Sequence, residues 1–382
     1  MSERYDAIVV GLGGHGSAAA YHLARRGRRV LGLEQFAPLH QHGSSHGLTR
    51  IIRLAYHEHP SYVPLLRRAY ELWHELETMA GEQLLITTGA LEGGPGDGAT
   101  FRGSLEAAEL HDLTHEVLDA ADLQRRYGFA NLDPMTRAVL QPDGGFLLAE
   151  ETMRAHHDAA AAHGADLHFE EPMVGWEPIG TEGVRVRTSR GTVEADRLVI
   201  CAGAWIGALV PDLASLAVPE RQVLGWFMPK RPDAFGPDRF PVFLIDVEGG
   251  KHYYGFPTHA GHGLKLGWYH HFGEPIDPSD PDRTTRPDDE AALRAFVERY
   301  LPEAAGPTEM LRACLFTNTP DEHFVIDHLA DAPQVIVASA CSGHGYKFAS
   351  VIGEILADLA VDGETGHDIG LFRLDRTVAA GG

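Results

Sequence analysis

Apolar positions in this chain fall into short runs broken by glycine-rich turns, with a few longer stretches of helical period between them. Residues 5–10 predict a buried strand ending in the apolar run Ala7-Ile8-Val9-Val10; the run breaks at Gly11-Leu12-Gly13-Gly14-His15-Gly16 into a helical pattern over 17–26. A second apolar run at 29–33 stops at Glu34. Between 60 and 80, Tyr62, Leu65, Leu66, Ala69, Leu72, Trp73 and Leu76 recur three and four apart, which predicts one long amphipathic helix with its aromatic residues in the core. The pattern then changes, with a strand pair near 84–92 and helices near 103–110 and 119–127. A helix at 150–163 is followed by short strands at 166–170, 174–177, 184–188 and 192–194, and by an apolar strand at 197–201 that ends in Ala202-Gly203-Ala204-Trp205. Aromatic and β-branched residues dominate 220–273, including Tyr253-Tyr254-Gly255-Phe256-Pro257 and Leu264-Lys265-Leu266-Gly267, and predict an antiparallel sheet. A helix at 288–301, strands at 311–316 and 335–339, and a helix at 348–361 complete the series.

The opening order of strand, glycine turn, helix, strand and acid is a complete βαβ setting for dinucleotide binding. Gly11 permits the tight turn, Gly13 lets the backbone approach a pyrophosphate, Gly16 allows the helix to pack on the strand, and helix N-terminal amides face the phosphates. Glu34 can accept from both ribose hydroxyls and would repel a 2′-phosphate, so FAD or NAD fits and NADP fits poorly. The small residues and two arginines of 43–53 replace the further βα units expected of a nicotinamide enzyme with a loop over the cofactor. The small-residue turn at Gly203 is a second place where such a sheet leaves room for a dinucleotide.

With 382 residues, two domains are expected. Lys plus Arg is 32 against 54 Asp plus Glu, a formal charge of −22, which disfavours nucleic acid and anionic membrane surfaces as partners. Three scattered cysteines, Cys201, Cys314 and Cys341, fit a reducing compartment. The first apolar run is too short for a signal segment, and no later run is long enough to span a bilayer, so a cytoplasmic location is expected. His111 and His115 have the i, i+4 spacing of two metal ligands on a helix, but no HExxH or cysteine cluster accompanies them and no metal is expected. Ser44, Ser45 and Ser342 lack the GxSxG elbow of a serine hydrolase.

The segments GLGGHG, HGLTRIIR, YYGFP, GLKLG, CLFTNTPDEHFVID and SGHGYKF, in that order along almost the whole chain, resemble the monomeric sarcosine oxidase and N-methyltryptophan oxidase family. The resemblance implies an α/β chain with a discontinuous Rossmann-like FAD-binding domain at 1–84, 148–218 and 323–382. A second α+β substrate domain on a mixed, largely antiparallel sheet would then occupy 85–147 and 219–322. It implies a monomer that oxidises a secondary amino acid, such as sarcosine, an N-methyl or a cyclic amino acid, to an imine that hydrolyses, with O2 reduced to H2O2. A flavin dehydrogenase passing electrons to a carrier and a noncatalytic FAD-binding partner protein are the alternatives; Lys265 and Cys314 argue against the first, and the Arg53 and Lys347 pair against the second.

By the same resemblance FAD is carried on Cys314 through a thioether, Arg53 and Lys347 clamp the substrate carboxylate, Arg50 and Lys265 lie at the flavin ring, and Lys265 serves oxygen. Tyr254 and the histidine after Leu266-Gly267 assist the substrate. That stretch runs Trp268-Tyr269-His270-His271, one residue longer than the family pattern, which makes His270 the candidate and His271 its substitute. Further cofactor contacts are expected from Ser44, His46, Thr49, Val174, Gly203, Gly343, Gly345 and Lys347. Leu48 stands where the family has an acid, Ser45 where it has a histidine, and Cys341 where it has a larger apolar residue, departures that bear on substrate choice.

Overall fold

The computed structural model describes residues 4–280 and 282–376, and they form an α/β structure around two large sheets. In the eight-stranded sheet, Arg4–Val10 lies between Val30–Leu33 and Thr192–Ile200, both parallel to it, with Asp166–His168 parallel beyond Val30–Leu33. One end of Thr192–Ile200 pairs with Gly183–Thr188 and so joins the Met173–Ile179 hairpin, while the other end pairs in parallel with Ala332–Ser339. The short strands expected at 192–194 and 197–201 are thus one strand, Thr192–Ile200, because polar Glu194, Asp196 and Arg197 sit where the sheet changes partners.

Helices Gly14–Arg25, Tyr62–Ala80, Ala149–Ala162 and Ala349–Asp362 pack together beside this sheet. All seven apolar residues read at helical spacing in 60–80 are buried in Tyr62–Ala80. Helices Gly14–Arg25 and Ala349–Asp362 meet at small residues; a Cβ at Gly353 would lie 2.5 Å from that of Ala18.

The nine-stranded sheet draws its strands from two separate stretches, Ala90–Pro95 to Thr136–Gln141 and Val218–Phe227 to Thr308–Asn318. They join where Val242–Val247 runs parallel to Ala90–Pro95, and the other pairings are antiparallel, so the sheet is mixed. Helix Pro287–Tyr300 packs on Val218–Phe227 and Leu264–Trp268, and its Asp289 is fully buried against Arg221 and His271.

A small sheet of Thr49–Ile52, Gly145–Leu148 and Leu85–Thr87 completes the strand set among the described residues. It corrects the expected pairing near 84–92, since Leu85–Thr87 pairs with Gly145–Leu148 and Ala90–Pro95 enters the nine-stranded sheet. His111 caps the helix Ala99–Leu110 and His115 lies beyond it, so their spacing does not fall on one helix face. No helix among the described residues is long and apolar enough to cross a membrane.

Candidate active site

A cavity of about 1280 Å³ runs from the Gly11–His15 turn past Cys314 to Arg53 and the rim at Asn131 and Glu248. It exceeds the roughly 300–1,000 Å³ of an ordinary small-molecule site, leaving room for a dinucleotide and a second ligand. At the first end only glycine fits two positions. Gly11 has φ +83° with a Cβ position 2.5 Å from the Cys201 carbonyl oxygen, and a Cβ at Gly16 would lie 1.8 Å from the Gly11 oxygen. The N-terminus of helix Gly14–Arg25 opens on the cavity, where the Gly14 amide donates to Ser45 Oγ (3.2 Å). Glu34 lines the wall, accepting from the amides of Leu12 (2.9 Å) and Phe36 (3.1 Å). Burial opposes its charge, but His40 and these amides hold the carboxyl below the usual range. Ser44 Oγ, also at the cavity, is buried without a hydrogen-bond partner. Glycine turn, helix end, acid and spare hydroxyl together fit the pyrophosphate and ribose of an adenine dinucleotide.

Midway along, the loop 44–49 is tied down through its carbonyls. Arg50 donates to the carbonyls of Ser44 (2.6 Å), His46 and Thr49 (2.8 Å), and its Nη2 lies 4.0 Å from Cys314 Sγ. Lys265 donates to the carbonyls of Gly47 (2.8 Å) and Thr49 (2.6 Å), with Nζ 4.3 Å from the centre of the Phe256 ring. Burial, reinforced by Arg50, pushes the Lys265 ammonium well below its ordinary value. Cys314 is buried on strand Thr308–Asn318 and lines the cavity. Tyr254 reaches the cavity across Gly267, its partner on the next strand, where a Cβ would lie 2.2 Å from Tyr254 Cζ.

At the far end Arg53 is 1% exposed, with Nη2 2.9 Å from both carboxylate oxygens of Glu58 and Nε 2.9 Å from Glu92, while Nη1 has no partner among the described residues. Burial works against the Glu58 charge, yet Arg53 holds that carboxyl well below the ordinary range. Lys347 donates to the His344 carbonyl (2.6 Å), and burial together with Arg53 lowers its ammonium to about 7. Both cations lie over the Tyr56 ring, Arg53 at 4.1 Å and Lys347 at 5.2 Å from its centre.

Gly11, Gly13, Ser44, Thr49, Arg50, Gly203, Gly343, Gly345, Lys347, Lys265, Tyr254, Arg53, Cys314 and His270 all line this one cavity. Gly16 serves packing instead, and His46 turns its ring into a buried site where neither nitrogen is bonded, leaving its carbonyl to Arg50. Val174 is a correction: the strand register shifts between Met173 and Gly175, turning Val174 outward at 57% exposure while Met173 and Pro172 line the wall. His270 and His271 part company. His270, held between Glu220 (3.0 Å) and Glu322 (2.7 Å), is pushed up to about 9 because those carboxylates outweigh its burial. His271 is buried on Asp289 (2.8 Å), away from the cavity lining. The inner residue is Tyr269, which the sequence reading passed over; its hydroxyl donates to the Ser342 carbonyl and its ring packs with Phe316 across Gly343. Glu58, His57, Asp246 and His252 were missed as well, and they line the same end.

The FAD dependent oxidoreductase family profile matches residues 6–359. The chain is 44% identical to a monomeric sarcosine oxidase of Streptomyces avermitilis over 100% of both chains. It is 36% identical to an N-methyl-L-tryptophan oxidase of Salmonella heidelberg over 98% of this chain and 99% of that one. Among solved structures it is similar to NikD, an unusual amino acid oxidase essential for nikkomycin biosynthesis, with TM-score 0.86 and 26% identity over 100% of both chains. L-Proline dehydrogenase from P. horikoshii shares the fold, with TM-score 0.83 and 21% identity over 98% of this chain and 97% of that one.

Proposed function

The chain belongs to the FAD dependent oxidoreductase family, and from that premise we propose that it is a flavoprotein oxidase of secondary amino acids, sarcosine and N-methyl-L-tryptophan being the type substrates. The CH–NH unit loses two electrons and two protons to become an imine, water hydrolyses the imine to a carbonyl compound and an amine, and O2 takes up the electrons and protons as H2O2. FAD, when bound, supplies the two-electron acceptor that no side chain can provide. The single observation carrying this reading is convergence: the unpartnered Arg53 Nη1 and the Lys347 ammonium share one cavity with the glycine turn and Glu34, and Lys265 and Cys314 lie between.

In this reading Arg53 and Lys347 hold the substrate carboxylate, Arg53 by a directed N–H and Lys347 by charge. Tyr254, kept in place by Gly267, borders the reacting carbon, and His270 stands at the wall rather than at the reacting atoms. Lys265 and Arg50 supply positive charge beside Cys314, where Cys314 would carry FAD as a thioether and Lys265 would stabilise superoxide. The eight-stranded sheet side, 1–84, 148–218 and 323–382, would bind FAD, and 85–147 with 219–322 would form the substrate domain. Three free cysteines and the word monomeric in the name of the 44% identical relative support a monomer in the cytoplasm.

The test is flavin absorbance on anaerobic mixing with sarcosine, N-methyl-L-tryptophan, pipecolate and their primary-amine counterparts, followed by an oxygen electrode. Bleaching by a secondary amino acid and peroxide on aeration are expected. A flavin that stays oxidised with every amine, or that is reduced but passes nothing to O2, would refute the reading.

A further inference from the structure

Beside Arg53 the cavity wall holds two histidine–carboxylate pairs whose outer ring edges the proposed chemistry leaves unused, although Glu92 also pairs with Arg53 Nε (2.9 Å) and His57 Nδ1 lies 3.2 Å from Arg53 Nη2. His57 Nδ1 is 2.6 Å from Glu92, which also accepts from Ser104 (2.7 Å), and His252 Nδ1 is 2.6 Å from Asp246, its cross-strand partner. The rings lie 5.7 Å apart, each 17% exposed, and both line the cavity. Neither Nε2 has a hydrogen-bond partner among the described residues, and both rings keep part of their surface open in the cavity wall.

A carboxylate only accepts, so each Nδ1 carries a proton and each ring is fixed with Nε2 as its free edge. A chamber serving only a methyl group or a hydrocarbon side chain would need an apolar wall here. Instead it buries Glu92 at 1% exposure behind one imidazole and sets Asp246 behind the other. Held imidazole edges in a cavity wall suit a polar group of the ligand. Filling the space with hydrocarbon would leave them unpaired, at a cost of about 1–3 kcal/mol each.

Resting on the oxidase reading above, we propose that the preferred substrate is a secondary amino acid whose side chain carries an oxygen-bearing polar group, bound by the Nε2 edges of His57 and His252. A hydroxyl or carboxamide can donate to or accept from either edge, whereas a carboxylate needs protonated rings. His57 is the ring suited to the latter: burial alone would lower it, but Glu58 and Glu92 raise it above the ordinary value.

The experiment compares N-methyl-L-aspartate, N-methyl-L-asparagine and the near-isosteric N-methyl-L-leucine as reductants of the holoenzyme, with sarcosine as the reference. An advantage of about tenfold or more in kcat/KM for the aspartate or asparagine derivative over the leucine derivative is expected; equal or reversed values overturn the inference. If the aspartate derivative leads, the rings act as cations; if the asparagine derivative leads, as neutral partners. In His57→Leu and His252→Leu the ratio should fall toward unity, and an unchanged ratio in both removes these two residues from the proposal. Should none of the amines, sarcosine included, reduce the flavin, the oxidase reading fails separately. Calorimetric binding of the matching thioether acids, with sulfur in place of the amine nitrogen, then still decides the preference between polar and apolar side chains.

Discussion

Lys347 offers the sharpest quantitative test of the carboxylate site. Its ammonium is buried, and burial together with Arg53 lowers it from 10.5 to about 7, with Glu58 and Glu92 opposing the fall. Arg53 stays charged at every accessible pH, so the titrating part of the clamp is Lys347. If a ligand carboxylate binds only to the protonated lysine, affinity is flat below about pH 7 and falls by up to tenfold for each unit above it, about 1.4 kcal/mol per unit. The fall ends where the bound carboxylate has raised the lysine again. A thioether acid such as (methylthio)acetate is the right ligand because it has no amine of its own to titrate. Dissociation constants from flavin difference spectra between pH 6 and 10 should show this break near 7 in the native protein and none there in Lys347→Met, any change near 9 from His270 being common to both. A flat native profile, or a break that survives in Lys347→Met, would refute the argument. The same shift has a stability consequence whose sign is fixed. The folded value lies below the unfolded one, so the unfolded chain binds the extra proton between about 7 and 10.5. Stability from this group is fully present above 10.5 and is lost as pH falls through that window, so below it the native protein should gain thermal stability on Lys347→Met.

Lys265→Met removes the ammonium beside Cys314 and one donor from each of the Gly47 and Thr49 carbonyls, which keep the Thr49 amide and Arg50 as partners. Stopped-flow reoxidation should slow by about a hundredfold while anaerobic reduction stays within a few fold, and an unchanged oxidative rate would remove Lys265 from that role. Cys314→Ser should release all of its flavin on acid precipitation, whereas a yellow pellet from that variant would exclude the thioether. Gly267→Ala places a Cβ 2.2 Å from Tyr254 Cζ, so the ring must leave its position. A stability loss of about 1–3 kcal/mol by denaturant titration together with a fall in kcat is expected, and native kinetics would show that Tyr254 does not border the reaction.

What the sequence disclosed was what local physics decides. The turn at Gly11 and Gly16 is legible because any larger residue meets the chain's own backbone within 3 Å, and the helix Tyr62–Ala80 because seven apolar residues share one face. Its reach ended where position depends on distant segments. Thr192–Ile200 looks like two strands because its polar middle is where the sheet exchanges one neighbour for another. The histidine after Leu266-Gly267 could not be chosen by counting. Residues 270 and 271 both turn at positive φ, 59° and 43°, which throws their side chains to opposite partners and leaves Tyr269 inside. His57, Glu92 and the Asp246–His252 hairpin pair come from three separate stretches, and no spacing along the chain announces their meeting.

The cations of the cavity divide by what holds them, and this division tells which charge is available to a ligand. Arg50 and Lys265 are held by backbone carbonyls, which orient them without a paired carboxylate among the described residues, while burial and Arg50 weigh against the Lys265 charge. Arg53 is held by Glu58 and Glu92, so its positive charge is already matched before any ligand arrives. A carboxylate at that end therefore gains direction from Arg53 Nη1 and net attraction mainly from Lys347. A fixed arginine beside a titrating lysine gives a site whose geometry is constant and whose strength follows pH. Breaking the Glu58 pair should uncouple the two, because Glu58→Gln takes away both a neutralising partner of Arg53 and a carboxylate that holds the Lys347 value up. The pH break should then move to lower values while affinity on its acid side rises.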